Sequence, residues 1–141
     1  MADEATVRTS LTIKKGSLFY TSQPSAFTAT QTGEGGPTPG QLMIPTTGRS
    51  IYLTELSTPG LCRIQNLDDT NYVEWGIFDT LTNKFHPLGE LLPGETYVFR
   101  LSRNLSEQYT GSGTGTTAPE NYWHFKANFA ACPVLVEAFE K

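Results

Sequence analysis

Glycine and proline interrupt this chain so often that a long helix has no room to form. Thirteen Gly and nine Pro are spread over 141 residues. Neither continues a helix interior without a penalty in entropy or lost hydrogen bonding. Between the breaks the runs are short and rich in Thr, Tyr, Phe and Val, side chains that suit a pleated, half-buried surface. No run holds apolar side chains at a 3.6-residue period through three turns. The spacing predicts roughly nine or ten short strands, one every 8–12 residues or so, the pattern of an antiparallel β-sandwich or a jelly-roll-like barrel. The expected fold is therefore all-β, a single domain over residues 1–141 with long Gly/Thr/Pro loops.

Individual runs sharpen that expectation. Residues 6–14 alternate loosely, so residues 1–15 read as an N-terminal arm or edge strand, with Lys14 and Lys15 guarding it against further pairing. Gly16-Ser17 is a turn, residues 18–21 and 25–30 are strands, and Pro24 separates them outside any central ladder. Residues 33–40, dense in Gly and Pro, predict a loop, and residues 50–56 a strand with Ile51 and Leu53 on one face and Leu56 on the other. In residues 61–67, Cys62, Ile64 and Asn66 share a face. Asp68 to Asn71 is turn chemistry, because Asp and Asn side chains bond nearby backbone. Val73, Trp75 and Ile77 then alternate, so residues 61–79 predict an antiparallel hairpin. Residues 85–88, 96–101, 122–129 and 133–139 supply further strands. One helical turn is expected over 102–108, and the Gly/Thr tract 109–119 reads as a long loop.

Charge excludes several roles. The net charge is −4, and the longest basic run is Lys14-Lys15. Duplex nucleic acid needs several phosphate contacts, so nucleic-acid binding is not expected, and on the same ground neither is binding to a membrane surface. No apolar stretch approaches the ~18 residues of a membrane-spanning helix. The acidic start, Met1 to Ala5, lacks the features of a secretory signal, so folding in a cytoplasm is expected. Cys62 and Cys132 read as two buried thiols, with a disulfide as the alternative. Without CxxC spacing they do not suggest zinc.

Candidate chemistry is sparse. His86 and His124 stand on strands, and no GxSxG or equivalent accompanies them. Glu90 and Glu95 flank a Pro-Gly turn, where water keeps a carboxylate from acting as a catalytic acid. Asp68, Thr70 and Glu74 have the wrong spacing for an EF-hand loop. No enzyme, cofactor or metal is expected. The aromatic residues carry more information. Adjacent pairs such as Phe19-Tyr20 and Tyr122-Trp123 cannot both face one core, so one of each must meet solvent, a partner or a ligand.

The run from Pro59 to Leu67, the segment from Thr70 to Ile77, and the run from Leu91 to Leu101 resemble small virion proteins of tailed bacteriophages. The resemblance spans most of residues 50–139 and implies β-sandwich or jelly-roll modules that decorate the capsid or build the tail. It implies a structural assembly role and does not select among capsid, tail and fibre positions. Taken with the absence of catalytic signals and the odd aromatic pairs, the expectation is a capsid decoration or cement protein that binds the major capsid protein lattice noncovalently, located in the virion after assembly in the host cytoplasm. A homo-oligomer is expected, and a trimer would suit a threefold position. The alternative is a tail- or fibre-associated module, structural or binding a glycan receptor through Trp75 or Trp123. Candidate partner contacts are Phe19, Tyr20, Pro37, Pro39, Tyr109, Thr114, Tyr122 and Trp123.

Overall fold

A computed structural model describes residues 5–102 and 121–141. The expected helical turn at 102–108 and the Gly/Thr tract at 109–119, with Tyr109 and Thr114, fall almost wholly outside these residues. Among the described residues every regular element is a strand. The chain divides into two units, residues 1–32 and 33–141.

The first unit is one interrupted two-stranded ribbon. β1 (Ala5–Thr9) pairs antiparallel with β4 (Ser25–Ala29), and β2 (Thr12–Lys15) pairs with β3 (Leu18–Thr21). The pairs are nested, so the chain runs out along β1 and β2, turns at Gly16-Ser17, and returns along β3 and β4. Gly16 takes φ +57°, the left-handed turn conformation that glycine adopts without a Cβ clash. The break between the two halves holds Pro24, which cannot donate to a ladder. It is stitched by Ser22 N–H to Leu11 O (2.8 Å) and Leu11 N–H to Ser22 Oγ (2.8 Å).

The second unit is a sandwich of two four-stranded antiparallel sheets. Its strands are β5 (Thr38–Ile44), β6 (Arg49–Ser50), β7 (Pro59–Asn66), β8 (Val73–Asp79), β9 (Lys84–Leu91), β10 (Thr96–Arg100), β11 (Asn121–Ala127) and β12 (Cys132–Glu140). One sheet has the order β10-β7-β12-β5 and the other β6-β11-β8-β9. The core lies between them. β12 shows the cause plainly: Cys132, Val134, Val136 and Ala138 are buried while the residues between them are not. Ile44, Cys62, Ile64, Val73, Trp123 and Phe125 meet them from the neighbouring strands. No closed barrel forms among the described residues, so the sandwich is the architecture.

Three local expectations are corrected. Residues 61–79 are not a hairpin, because β7 and β8 belong to different sheets. The turn chemistry is present, since Asp68 Oδ1 accepts the N–H groups of Thr70 (2.8 Å) and Asn71 (2.6 Å), but it builds a corner between sheets. Residues 50–56 are strand only at Ser50. Past a last ladder-like bond from Ile51 N–H to Trp123 O (2.8 Å), the chain turns, with Leu56 N–H on Leu53 O (3.1 Å). That turn buries Ile51, Leu53 and Leu56 together, so the two-faced alternation fails. The expected loop 33–40 ends at Gly36-Pro37, and β5 begins at Thr38. Pro39 is tolerated there because β5 is an edge strand.

The thiols do not pair. Cys62 sits opposite Ala138, six residues beyond Cys132 on β12, which at ~3.3 Å per residue is about 20 Å away. Both are free, and burial pushes both thiols above their ordinary range, away from the reactive thiolate.

Candidate functional site

The ribbon of residues 5–32 buries no side chain. Leu18, Phe19, Tyr20 and Phe27 are each half or more exposed, Phe19 reaching 69%. The register explains how they are displayed. Ile13 pairs with Tyr20 and Lys15 with Leu18 on one face of the tip, and Lys14 pairs with Phe19 on the other. Both faces thus mix apolar and cationic side chains. Residues 5–32 contain Arg8, Lys14 and Lys15 and no Asp or Glu. A lone two-stranded ribbon is marginal in water because neither face is buried.

The sandwich presents a second distinctive surface at one end. Three connections meet there, residues 67–72, 92–95 and 128–131. Asn66, at the end of β7, joins two of them. Its buried side chain donates to Asn71 O (2.8 Å) and Leu91 O (3.1 Å) and accepts the Asp68 N–H (3.0 Å). Its backbone bonds Glu95 O and Gly94 N–H. The third connection is tied in by Leu67 N–H to Pro133 O (2.9 Å) and Asn128 N–H to Tyr72 O (3.3 Å). From this fixed platform Leu67, Leu92 and Phe129 project, Phe129 with 88% of its surface exposed. The expected strand 122–129 stops at Ala127, which leaves Phe129 on the turn. The loops carry Asp68, Asp69 and Glu95 and no basic residue. Hydrogen bonds from the turn backbone hold Asp68 below the usual carboxylate range.

Beside this end an open cleft of about 400 Å³ lies between edge strands β9 and β10, lined by Trp75, Gly89, Glu90, Leu91, Glu95, Thr96 and Tyr97. Trp75 offers little free ring face. A Cβ on Gly89 would stand 2.8–2.9 Å from three atoms of its indole, and Phe99 stacks on it at 5.4 Å and 12°. Tyr97, 47% exposed, presents more ring surface. Glu95 is committed to its turn, where Oε2 accepts the Leu92 N–H (2.8 Å). Glu90 stands directly across from Glu74.

His124 lies on the other face of β11 from Trp123 and Phe125. Its ring is 5.0 Å from that of Phe78 and 5.2 Å from that of Phe85, and Nδ1 is 3.1 Å from Ser50 Oγ. Gly48 closes over Nε2, where a Cβ would come within 2.2 Å. Burial and the nearby Lys126 ammonium push the imidazole below its ordinary pKa. A Ser–His contact through Nδ1 with Nε2 covered by backbone cannot pass a proton onward as a hydrolase dyad does. It clamps β6 against β11.

The sequence-predicted contacts therefore separate. Phe19 and Tyr20 come together on the ribbon, and Pro37 and Pro39 are exposed along or next to β5. Tyr122 is half-buried, edge-on to Tyr52 at 5.6 Å. Trp123 is only 2% exposed and packs on Phe99 and Phe125 in the core, so it is the inward-facing member of its pair rather than a displayed ring. Sequence reasoning missed Asn66 as a junction and Phe129 as a projecting side chain. The polar Asn in an apolar alternation was a signal for the first, since a buried amide must be paired. Comparison of the chain with protein-family models, with curated proteins and with solved structures finds no match.

Proposed function

We propose that this chain is a structural protein of a tailed-bacteriophage virion, a decoration or cement protein that binds the capsid lattice noncovalently. One observation carries the reading. Residues 5–32 form a ribbon whose apolar side chains its own strands do not cover. Surface of this kind gains free energy when a partner covers it, and it is the usual mark of an assembly contact. On a shell, repeated copies convert a modest contact into strong retention by avidity.

The cleft at Trp75 and Tyr97 does not favour the glycan-binding alternative, because Trp75 is enclosed by Gly89 and Phe99. The test is binding of the purified full-length protein to phage heads that lack it, with mass spectrometry of complete virions alongside. Saturable binding and a fixed copy number per head are expected. Absence from virions, with no binding to heads, would sink the reading.

A further inference from the structure

The ribbon and the loop end of the sandwich are complementary in three respects. The first is charge. Residues 1–32 carry three basic side chains, all on the ribbon, and two acidic ones, Asp3 and Glu4, while residues 33–141 carry seven basic and twelve acidic. The three loops at the Asn66 end hold Asp68, Asp69 and Glu95 without a cation, and Glu90 adds a fourth carboxylate at the adjoining cleft.

The second is apolar surface. Phe19 and Tyr20 are uncovered on the ribbon, and Phe129 and Leu92 are uncovered at the loop end. Each is an exposed apolar group set among charges of one sign, opposite on the two surfaces. The third is rigidity. The loop end is pinned by the Asn66 hydrogen bonds and by the Asp68 and Glu95 turn contacts. It is therefore a preformed surface, and docking on it costs little ordering entropy.

We propose that the N-terminal ribbon of one chain docks on the acidic, apolar loop end of the sandwich of a second copy. One face of the ribbon makes the contact, Lys14 with Phe19 or Lys15 with Tyr20, its ammonium facing Asp69 or Glu90 and its ring packing with Phe129. Such a contact joins two different surfaces of the chain. The inference rests on the assembly reading, since it names the first partner of the same ribbon.

Sedimentation of the full chain tests it, at about 0.02 M and about 0.5 M salt, where screening differs several-fold. The wild type should self-associate, more tightly at low salt. Lys14→Glu with Lys15→Glu should weaken association by about tenfold or more, and so should Asp69→Lys with Glu90→Lys. Mixing the two double variants should restore association between them, which no folding defect would do. A wild type that stays monomeric, association indifferent to both reversals, or no recovery on mixing would each overturn the proposal. If the wild type stays monomeric and still binds heads, the ribbon's partner is a shell protein: the inference fails and the assembly reading stands.

Discussion

Asn66 concentrates at one position the work of holding two corners of the sandwich. Its amide, itself fully buried, satisfies Asn71 O, Leu91 O and the Asp68 N–H. Asn66→Ala strands those groups, and the expected loss is about 2–4 kcal/mol in urea unfolding. Gly89 matters for the opposite reason, as the absence of a side chain. Gly89→Ala forces the Trp75 indole off β9. A loss of about 1–3 kcal/mol is expected, with a shift in tryptophan emission as the ring moves toward water. His124 makes stability depend on pH. Its folded pKa is depressed by burial and by Lys126, so the unfolded state binds the proton more readily. The contribution is complete above the unfolded value near 6.5 and is lost as pH falls from there toward the folded pKa. His124→Gln should flatten that part of the stability profile. Asp68, Asp79 and Glu140, whose pKa values are also lowered, act in the more acidic carboxylate range and leave that window unchanged.

At the scale of elements, alternation was legible and connection was not. Cys62, Ile64 and Asn66 share the buried face that their spacing predicts, as does Val73 on β8. Whether β7 and β8 pair was hidden, because an Asx turn looks the same inside a hairpin and at a corner between sheets. Ser50 to Leu56 misled for a related reason. Buried apolar residues two apart fit a strand, and they equally fit an irregular cover held over the core. That cover is fastened by Glu140, whose carboxylate accepts from Ser57 N–H (3.0 Å), Ser57 Oγ (2.5 Å) and Thr58 N–H (2.8 Å), bonds more than 80 residues apart in sequence. The half-buried Arg63–Glu137 pair at 2.7 Å links β7 to β12, and water still reaches and screens it. Arg63→Ala should cost under about 1 kcal/mol. The ribbon was legible in part: its Gly16-Ser17 turn and Pro24 break are written in residue type, but the single strand expected over residues 6–14 is two, β1 and β2, and Lys14 and Lys15 are themselves paired with β3. What sequence could not show is that its apolar side chains find no cover within the ribbon itself.

At the scale of the whole molecule, two kinds of stability coexist. The sandwich has a continuous core from Ile44 to Ala138, and its ladder amides should exchange slowly with solvent. The ribbon has none, so its amides should exchange through local opening at little free-energy cost. The sandwich covers its own apolar side chains, and the ribbon leaves its own exposed. Hydrogen–deuterium exchange of residues 5–29, in free protein and in intact virions, tests this contrast most directly. The account predicts fast exchange in the free chain and strong protection in the particle, with the sandwich strands protected in both. Equal exchange of the ribbon in the two states would contradict it.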